Sequence, residues 1–407
     1  MDHPESKLKV TWNPFTPGYF DNPYEHLRLC RLSQPVQKGI HREWMLFRHA
    51  HIRQILKSNG FDASNLSRYF SSKEKLILGT TGCPFLARGT QRWPMYLNGI
   101  EHALTVELAD NLLRQVPFTG LILEAVDFEV PRYASRRSFD LAELATAIPY
   151  YVAKKMAGFE DPGFDRLRTF SHRLAVSQDL YLTKQDYRDV NSEFEWAFAE
   201  FKRLISLNGS RTKNSLVALM PDLNQSVTSP LSEDEIYSLL CILFMASFET
   251  TKDALGTMLL ELLREPQLME LVLASDEKEI KLVTEELLRI AAPLQYTVRI
   301  CKHDTQIEDY FFPAGTRLFL ALASANRDEE VFPEPDRIMP HRRENPHLSF
   351  GGGVHTCLGA RIARQEIRTW LKPLCKLLIN YRISDGETPV WQRTIFMRGL
   401  KQLIVHR

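Results

Sequence analysis

The sequence predicts a mainly α-helical fold with a small β component (α+β), and three observations carry that expectation. Helical periodicity dominates from about residue 101 to 290. One helix near the middle is long enough to cross a whole domain. Extended, β-prone runs are confined to short stretches around 43–47, 298–320 and 391–405. With no internal repeat, low-complexity tract or Ser/Gly-rich linker, the 407 residues read as one unit, 1–407.

The elements follow in order. A first helix is predicted over Pro23 to Leu32, then a β-like run Glu43-Trp44-Met45-Leu46-Phe47, then a helical stretch from His49 to Lys57. Residues 61–100 carry little period and many Gly, Ser and Pro, which predicts a long irregular segment. The clearest helix runs from about Ser232 to Arg264. Ser232 and Glu235 form a capping box, and Pro266 stops the chain just beyond. At 1.5 Å per residue it spans about 48 Å. From Ile236 to Phe248 it is apolar nearly all round, as a buried central helix must be, and the polarity breaks at Glu249-Thr250-Thr251-Lys252-Asp253. Val298 to Leu320 reads as β-like runs around Pro313-Ala314-Gly315. A helix is predicted from Ala360 to Ile379 and a strand pair from Trp391 to Val405.

Composition narrows the class. Hydrophobic residues at 44% and charged residues at 25% describe a globular chain with a large core. Lys plus Arg (51) nearly balance Asp plus Glu (50), so no global field points to nucleic acid or an anionic membrane. The N-terminus lacks a signal-peptide pattern, and no apolar run reaches the roughly 18 residues a membrane helix needs. Six cysteines without a C-x-x-C pair suit a reducing compartment, so a cytoplasmic monomer is expected.

Chemistry concentrates at a few places. Phe350-Gly351-Gly352-Gly353-Val354-His355-Thr356-Cys357-Leu358-Gly359 is a glycine-rich turn that delivers one cysteine to the front of a helix. The helix N–H groups and dipole favour a thiolate there, which is the ligating form. In the long helix, an acid and an alcohol, Glu249 and Thr250, follow the small pair Ala246-Ser247, an arrangement suited to relaying protons into a cavity. Glu286 and Arg289 share a helix face.

The cysteine run matches the Phe-x-x-Gly-x-His-x-Cys-x-Gly signature at every fixed position, and the chain resembles the cytochrome P-450 (haem-thiolate) family. Ala246 to Thr251 is similar to that family's oxygen-activation motif, with Ser247 where glycine is usual. Glu286, Arg289 and, in Phe332-Pro333-Glu334-Pro335-Asp336-Arg337, Arg337 match its Glu-x-x-Arg and Pro-x-Arg elements. The resemblance implies a triangular helical prism with small β-sheets, with haem b between the long helix and the Cys357 loop. Cys357 is then the iron ligand. Phe350, Gly351, Gly359 and Ala246 line the cofactor, and His102, Arg299 and His355 receive its propionates. Val106 stands where the family commonly has a further arginine. Glu286, Arg289 and Arg337 form a buried brace. Met245, Phe248, Leu294, Gln295, Tyr296, Ile395 and Phe396 face an apolar substrate, free or carrier-bound.

The implied reaction inserts one atom of O2 into a C–H bond or a double bond. Electrons come from NAD(P)H only indirectly, through a ferredoxin or flavodoxin with its reductase, because no phosphate-loop or dinucleotide motif occurs. Arg361, Arg364, Arg368 and Lys372 offer a basic docking face for such a partner. Two other readings stay open at this point: oxidative coupling, desaturation or a peroxide-driven reaction on the same haem, and a non-catalytic haem sensor or carrier-protein binder.

Overall fold

The computed structural model describes residues 10–40, 42–64, 66–71, 83–159, 164–207, 213–384 and 386–407. The first part of the chain holds α1 (Tyr24–Ser33), β1 (Val36–Lys38), β2 (Trp44–Leu46), α2 (His49–Lys57), β3 (Phe61–Ala63), α3 (66–71) and α4 (Pro84–Thr90). A helical body follows: α5 (Gly99–Gln115), α6 (Phe118–Ala134), β4 (Ser138–Asp140), α7 (Leu141–Ala157), α8 (Phe164–Val176), α9 (Lys184–Ser206), α10 (Leu216–Ser226), α11 (Glu233–Arg264), α12 (Pro266–Ala274) and α13 (Glu277–Ile290). Then come β5 (Thr297–Cys301), β6 (Thr305–Ile307), β7 (Tyr310–Phe312), β8 (Arg317–Leu320), α14 (Leu322–Ala325), α15 (Ala360–Leu378), β9 (Arg382–Ile383), β10 (Val390–Trp391), β11 (Leu400–Gln402) and β12 (Ile404–His406).

The axis of the body is α11. Ser232 caps it, its backbone N–H donating to Glu235 Oε2 at 2.8 Å. Helices α4, α7, α8, α9, α12, α13 and α15 pack around it, so an all-round apolar helix is buried on nearly every side. Gly256 lets it approach α7 and the C-terminal sheet, since a Cβ there would lie 3.2 Å from Leu400 Cβ and 3.6 Å from Ala145 Cβ. The largest sheet has the order β1-β2-β8-β5-β3. Only β2 and β8 are parallel, and the register sets Arg299 opposite Leu318 and Ala63.

Two expectations change. The segment 61–100 is not irregular where it is described: β3, α3, α4 and the 3-10 turn Pro94–Tyr96 occupy it, while 72–82 lies outside the described residues. Helices of two turns or fewer are too short for a hydrophobic period to show. The C-terminal strands divide between two sheets. Strand β10 pairs with β11, whereas β12 joins β4 and β9.

Candidate active site

Cys357 stands three residues before α15, in a loop closed by its own N–H donating to Phe350 O (2.9 Å) and by Ala360 N–H donating to Cys357 O (3.2 Å). The other five cysteines are buried, and Cys357 alone is exposed. Burial still raises its thiol pKa, against the pull of the Gly359 and Ala360 N–H groups and the Arg364 charge. Accessible surface combined with strong desolvation means that the sulfur faces an interior space rather than bulk water. Gly353 makes the loop's path feasible: its φ is +68°, and a Cβ there would come within 2.0 Å of Leu56 O at the end of α2. Gly351, at φ +67°, turns the chain one step earlier, and the Phe350 ring packs under the Arg364 guanidinium at 4.5 Å.

Three cation-capable side chains from distant parts of the chain meet beside this loop. The rings of His102 and His355 lie 4.3 Å apart. Arg299, 5% exposed, donates to Val298 O (2.8 Å) and Thr297 Oγ1 (3.4 Å), and no carboxylate among the described residues pairs with it. Burial lowers the Arg299 pKa to about 10. It pushes His355 down to about 3, with the Arg299 and His102 charges adding to the shift, and it lowers His102, which also feels Arg299. His355 Nδ1 is buried without a partner among the described residues. Buried cationic donors without an acid are costly, and they fit the two carboxylates a haem carries. Val106 is one turn beyond His102 on α5 and supplies no donor.

Helix α11 opens on one side. Every residue from Tyr237 to Leu260 is buried except Ala246, Ser247 and Thr250, which form one stripe. The hydroxyl of Thr250 donates to Ala246 O (2.6 Å) and that of Ser247 to Phe244 O (2.9 Å), so both oxygens are left free to accept. Glu249 is off this stripe. It is 1% exposed and ion-paired with Lys252 (3.0 Å), which also binds Asp253 Oδ1 at 2.6 Å. Glu249 Oε1 and Asp253 Oδ2 are buried and unpartnered among the described residues. Sequence spacing set Glu249 beside Thr250, but a step of one residue turns a helix by about 100°, which is enough to carry the carboxylate behind the opening.

A second acid backs the helix. Glu366 on α15 is 4% exposed, with Thr251 Oγ1 at 3.4 Å, and burial lifts its pKa to about 8. Between about pH 4.5 and 8 the folded protein keeps a proton that the unfolded chain has released, so this group's contribution to stability falls as pH rises through that window. Glu366→Gln should therefore match the parent near pH 5 and be the more stable protein above pH 8. Thermal unfolding at the two pH values checks it.

The brace holds the loop from behind. Glu286 and Arg289 are both fully buried and joined by two bonds, 2.7 and 2.9 Å. Arg289 also donates to the carbonyls of Asn326, Pro335 and Arg337. The third charged member is Arg342, not Arg337: Arg342 Nε donates to Glu286 Oε1 at 2.7 Å, joined by Met339 N and Asn345 Nδ2. The Arg337 side chain is 71% exposed and pairs with Glu334. A turn with Glu334 at φ +49° points Arg337 outward, and the next turn brings Arg342 in. Burial works against the Glu286 charge, yet the Arg289, Met339 and Arg342 donors hold its pKa down. Asn326, unremarked in the sequence, links brace to loop: it accepts from Leu348 N (2.7 Å) and donates to Ser349 Oγ (2.8 Å), which in turn donates to Leu288 O (2.8 Å).

The basic helix face is partly used up. Arg364 forms a two-pronged pair with Glu285, which Arg368 and His347 also approach; burial opposes that carboxylate's charge, but the His347 and Arg364 donors hold its pKa at about 2. Arg361 and Lys372 remain, lining an open cleft with Asp276 and Glu277.

Of the substrate-facing residues, two separate segments come together. Leu294 bridges Met397, and Gln295 N–H donates to Phe396 O (2.9 Å). Tyr296 packs edge-on against Phe396 at 5.4 Å, and Ile395 is held by Asp179 (3.1 Å). Met245 and Phe248 lie on α11, both buried beside the open stripe, and the Phe248 ring packs against Tyr150 and Phe244.

Comparison with known proteins follows the geometry. The family described as Cytochrome P450 matches residues 278–401. Cytochrome P450 133B2 of Xylella fastidiosa (strain Temecula1) is 33% identical over 400 residues, covering 96% of this chain and 97% of that protein. The polyketide biosynthesis cytochrome P450 PksS of Bacillus subtilis is 24% identical, covering 98% of each. Among solved structures, P450BioI in complex with hexadec-9Z-enoic acid ligated acyl carrier protein superposes with a TM-score of 0.83 at 24% identity, over 95% of this chain and 99% of that one. No helix of the described residues is long and apolar enough to cross a membrane.

Proposed function

The chain belongs to the cytochrome P450 family of monooxygenases, and from that premise we propose that it inserts one oxygen atom from O2 into a C–H bond or double bond of an apolar small molecule. The observation that carries this reading is the pairing of one accessible, deeply set thiol with a stripe of small and hydroxylic residues on α11. Haem b, bound through Cys357, supplies the O2 chemistry that no side chain can. His102, Arg299 and His355 would hold its carboxylates, and Ala246, Phe350, Gly351 and Gly359 would leave room for its face. A separate ferredoxin or flavodoxin system with its reductase would deliver the electrons from NAD(P)H.

The protein's own part is to admit, orient and supply protons. Thr250 Oγ1, its proton committed to Ala246 O, accepts a hydrogen bond from a water or hydroxyl at the stripe and steadies it there. Glu249, held by Lys252, keeps a carboxylate directly behind it. Leu294, Tyr296, Ile395 and Phe396 supply the apolar wall, and the Gln295 amide beside them donates to the Ala292 and Pro293 carbonyls. A carrier-bound acyl chain is one candidate substrate, because P450BioI, a structure of the same fold, has been solved with one.

Thr250→Ala tests the assignment of roles. Folding and haem content should hold while NAD(P)H consumption continues with surrogate redox partners. Product per electron should fall by about tenfold or more and hydrogen peroxide should rise. Full coupling in Thr250→Ala combined with Ser247→Gly would reject the alcohol's role. No substrate-stimulated consumption at all, in the parent protein, would favour a silent binder.

A further inference from the structure

Behind its open stripe, α11 buries two carboxylates against a single ammonium. Lys252 Nζ lies 3.0 Å from Glu249 Oε2 and 2.6 Å from Asp253 Oδ1, and all three side chains are buried. Each acid keeps one buried oxygen, Glu249 Oε1 and Asp253 Oδ2, without a partner among the described residues. With both acids ionised the cluster carries one negative charge in excess, and an uncompensated anion in a dry interior is costly. Taking up one proton removes the excess. Two acids joined through one ammonium titrate as a unit, so such a proton belongs to the pair. Burial raises the Asp253 pKa; the Lys252 and His172 charges pull against the rise and the Glu249 charge adds to it.

The cluster reaches outward where α11 passes the turn between β10 and β11. Gly399 leaves room for the Asp253 carboxylate, since a Cβ there would run into its oxygens, and Gln392 Nε2 donates to Asp253 Oδ1 at 3.0 Å. Gln392 also walls a cavity of about 10 Å³ together with Thr394 and, from α8, His172. That is the room of about one water. The imidazole, the Gln392 amide and the Thr394 hydroxyl, whose own proton goes to Met397 O (2.6 Å), supply the polar partners such a water needs. His172 itself is only partly buried, so it stands between the cavity and the outside. Burial lowers its pKa to about 4, the Lys252, Arg173 and Arg168 charges adding to the shift and Asp253 opposing it. The ring is therefore neutral at pH 7, with one nitrogen to donate and one to accept.

We propose that Glu249 and Asp253 share one proton across Lys252, and that this proton is the reserve from which Glu249 supplies the water on Thr250, refilled from outside by way of His172 and the cavity water. Protons and charge balance at each step. While the proton rests on Asp253, Glu249 is the carboxylate described above. Lys252 then passes one ammonium proton to Glu249 and takes the Asp253 proton in return, which leaves the ammonium whole. Glu249, now the acid, gives its proton to the water and is a carboxylate again. Asp253, left anionic, regains a proton from the cavity side. The inference rests on the reading of Glu249 as a proton source and adds Lys252, Asp253 and His172 as the groups that act through it.

Infrared difference spectra of the haem-loaded protein at pH 7 read the proton without turnover, in a Glu366→Gln background that silences the other buried acid on this helix. Asp253→Asn and Glu249→Gln each leave one carboxylate against one ammonium. Either change alone should therefore remove a carboxylic-acid carbonyl band that shifts in D2O. Loss of the band in only one variant, or in neither, overturns the shared proton. Asp253→Asn keeps an acceptor for Lys252 and Gln392, so folding and the carbon monoxide band should hold. With surrogate redox partners its product per electron should fall by about tenfold while hydrogen peroxide rises. His172→Gln should keep the infrared band and lose product in the same direction. Full coupling in both variants overturns the relay. A parent that makes no product with any partner sinks the monooxygenase reading instead, and the infrared arm then decides on the proton by itself.

Discussion

Replacing Cys357 with histidine is expected to abolish the red-shifted Soret band that the reduced, haem-loaded protein gives with carbon monoxide. That band reports thiolate ligation, and five of the six cysteines are buried and cannot take over. The Phe350 to Gly359 loop is shaped by glycines at positive φ and by backbone bonds, none of which involve the Cys357 side chain, so the variant should still fold. Loss of the band with secondary structure retained is the predicted outcome. An unchanged band would reject Cys357 as the ligand.

Glu286→Ala should be the most damaging change away from the cofactor. It strips Arg289 and Arg342 of their common carboxylate, and it frees Met339 N and Asn345 Nδ2. Breaking a buried pair by removing one partner costs roughly 3–5 kcal/mol. The protein should accumulate unfolded or without haem. Arg342→Ala should also be strongly destabilising, whereas Arg337→Ala, which removes only an exposed pair with Glu334, should unfold like the parent. Urea unfolding of the three variants separates the brace drawn here from one built on Arg337. A large effect at Arg337 and none at Arg342 would contradict it.

That contrast shows where a sequence can be read and where it cannot. Cys357 was legible because its loop needs particular residues at fixed steps: glycine where Leu56 O crowds the chain, and a short path into a helix start. Helix α11 was legible from its cap, its length and its unbroken apolar run. The arginine of the brace was not. Arg337, Arg342 and Arg343 lie within a few residues of one another, and which points inward depends on two successive turns, one of them with a positive φ that glutamate rarely adopts. Which side of α11 opens was hidden for a related reason, since periodicity vanishes in a helix buried all round. Glu249 shows that adjacency in sequence is not adjacency in space. Asn326 left no signal, because a lone amide is defined only by what the fold puts around it.

The meeting of His102, Arg299 and His355 has a consequence for how the protein comes to be assembled. These side chains arrive from a helix in the first third of the chain, a strand in the last third and the loop before α15, and in one another's company the two histidines are kept from charging. A doubly charged guest would favour their charged, donating forms and give Arg299 the acceptor it lacks, acting as a clasp across segments that no disulfide joins. Whatever binds the folded chain and not the unfolded one adds stability that grows with its concentration. The melting temperature of this protein should therefore track cofactor supply during expression, and preparations made with limiting haem should contain a less stable fraction that is first to be lost to proteolysis. Adding haem before heating, and following the two fractions by differential scanning calorimetry, would show the lower transition merging into the upper one.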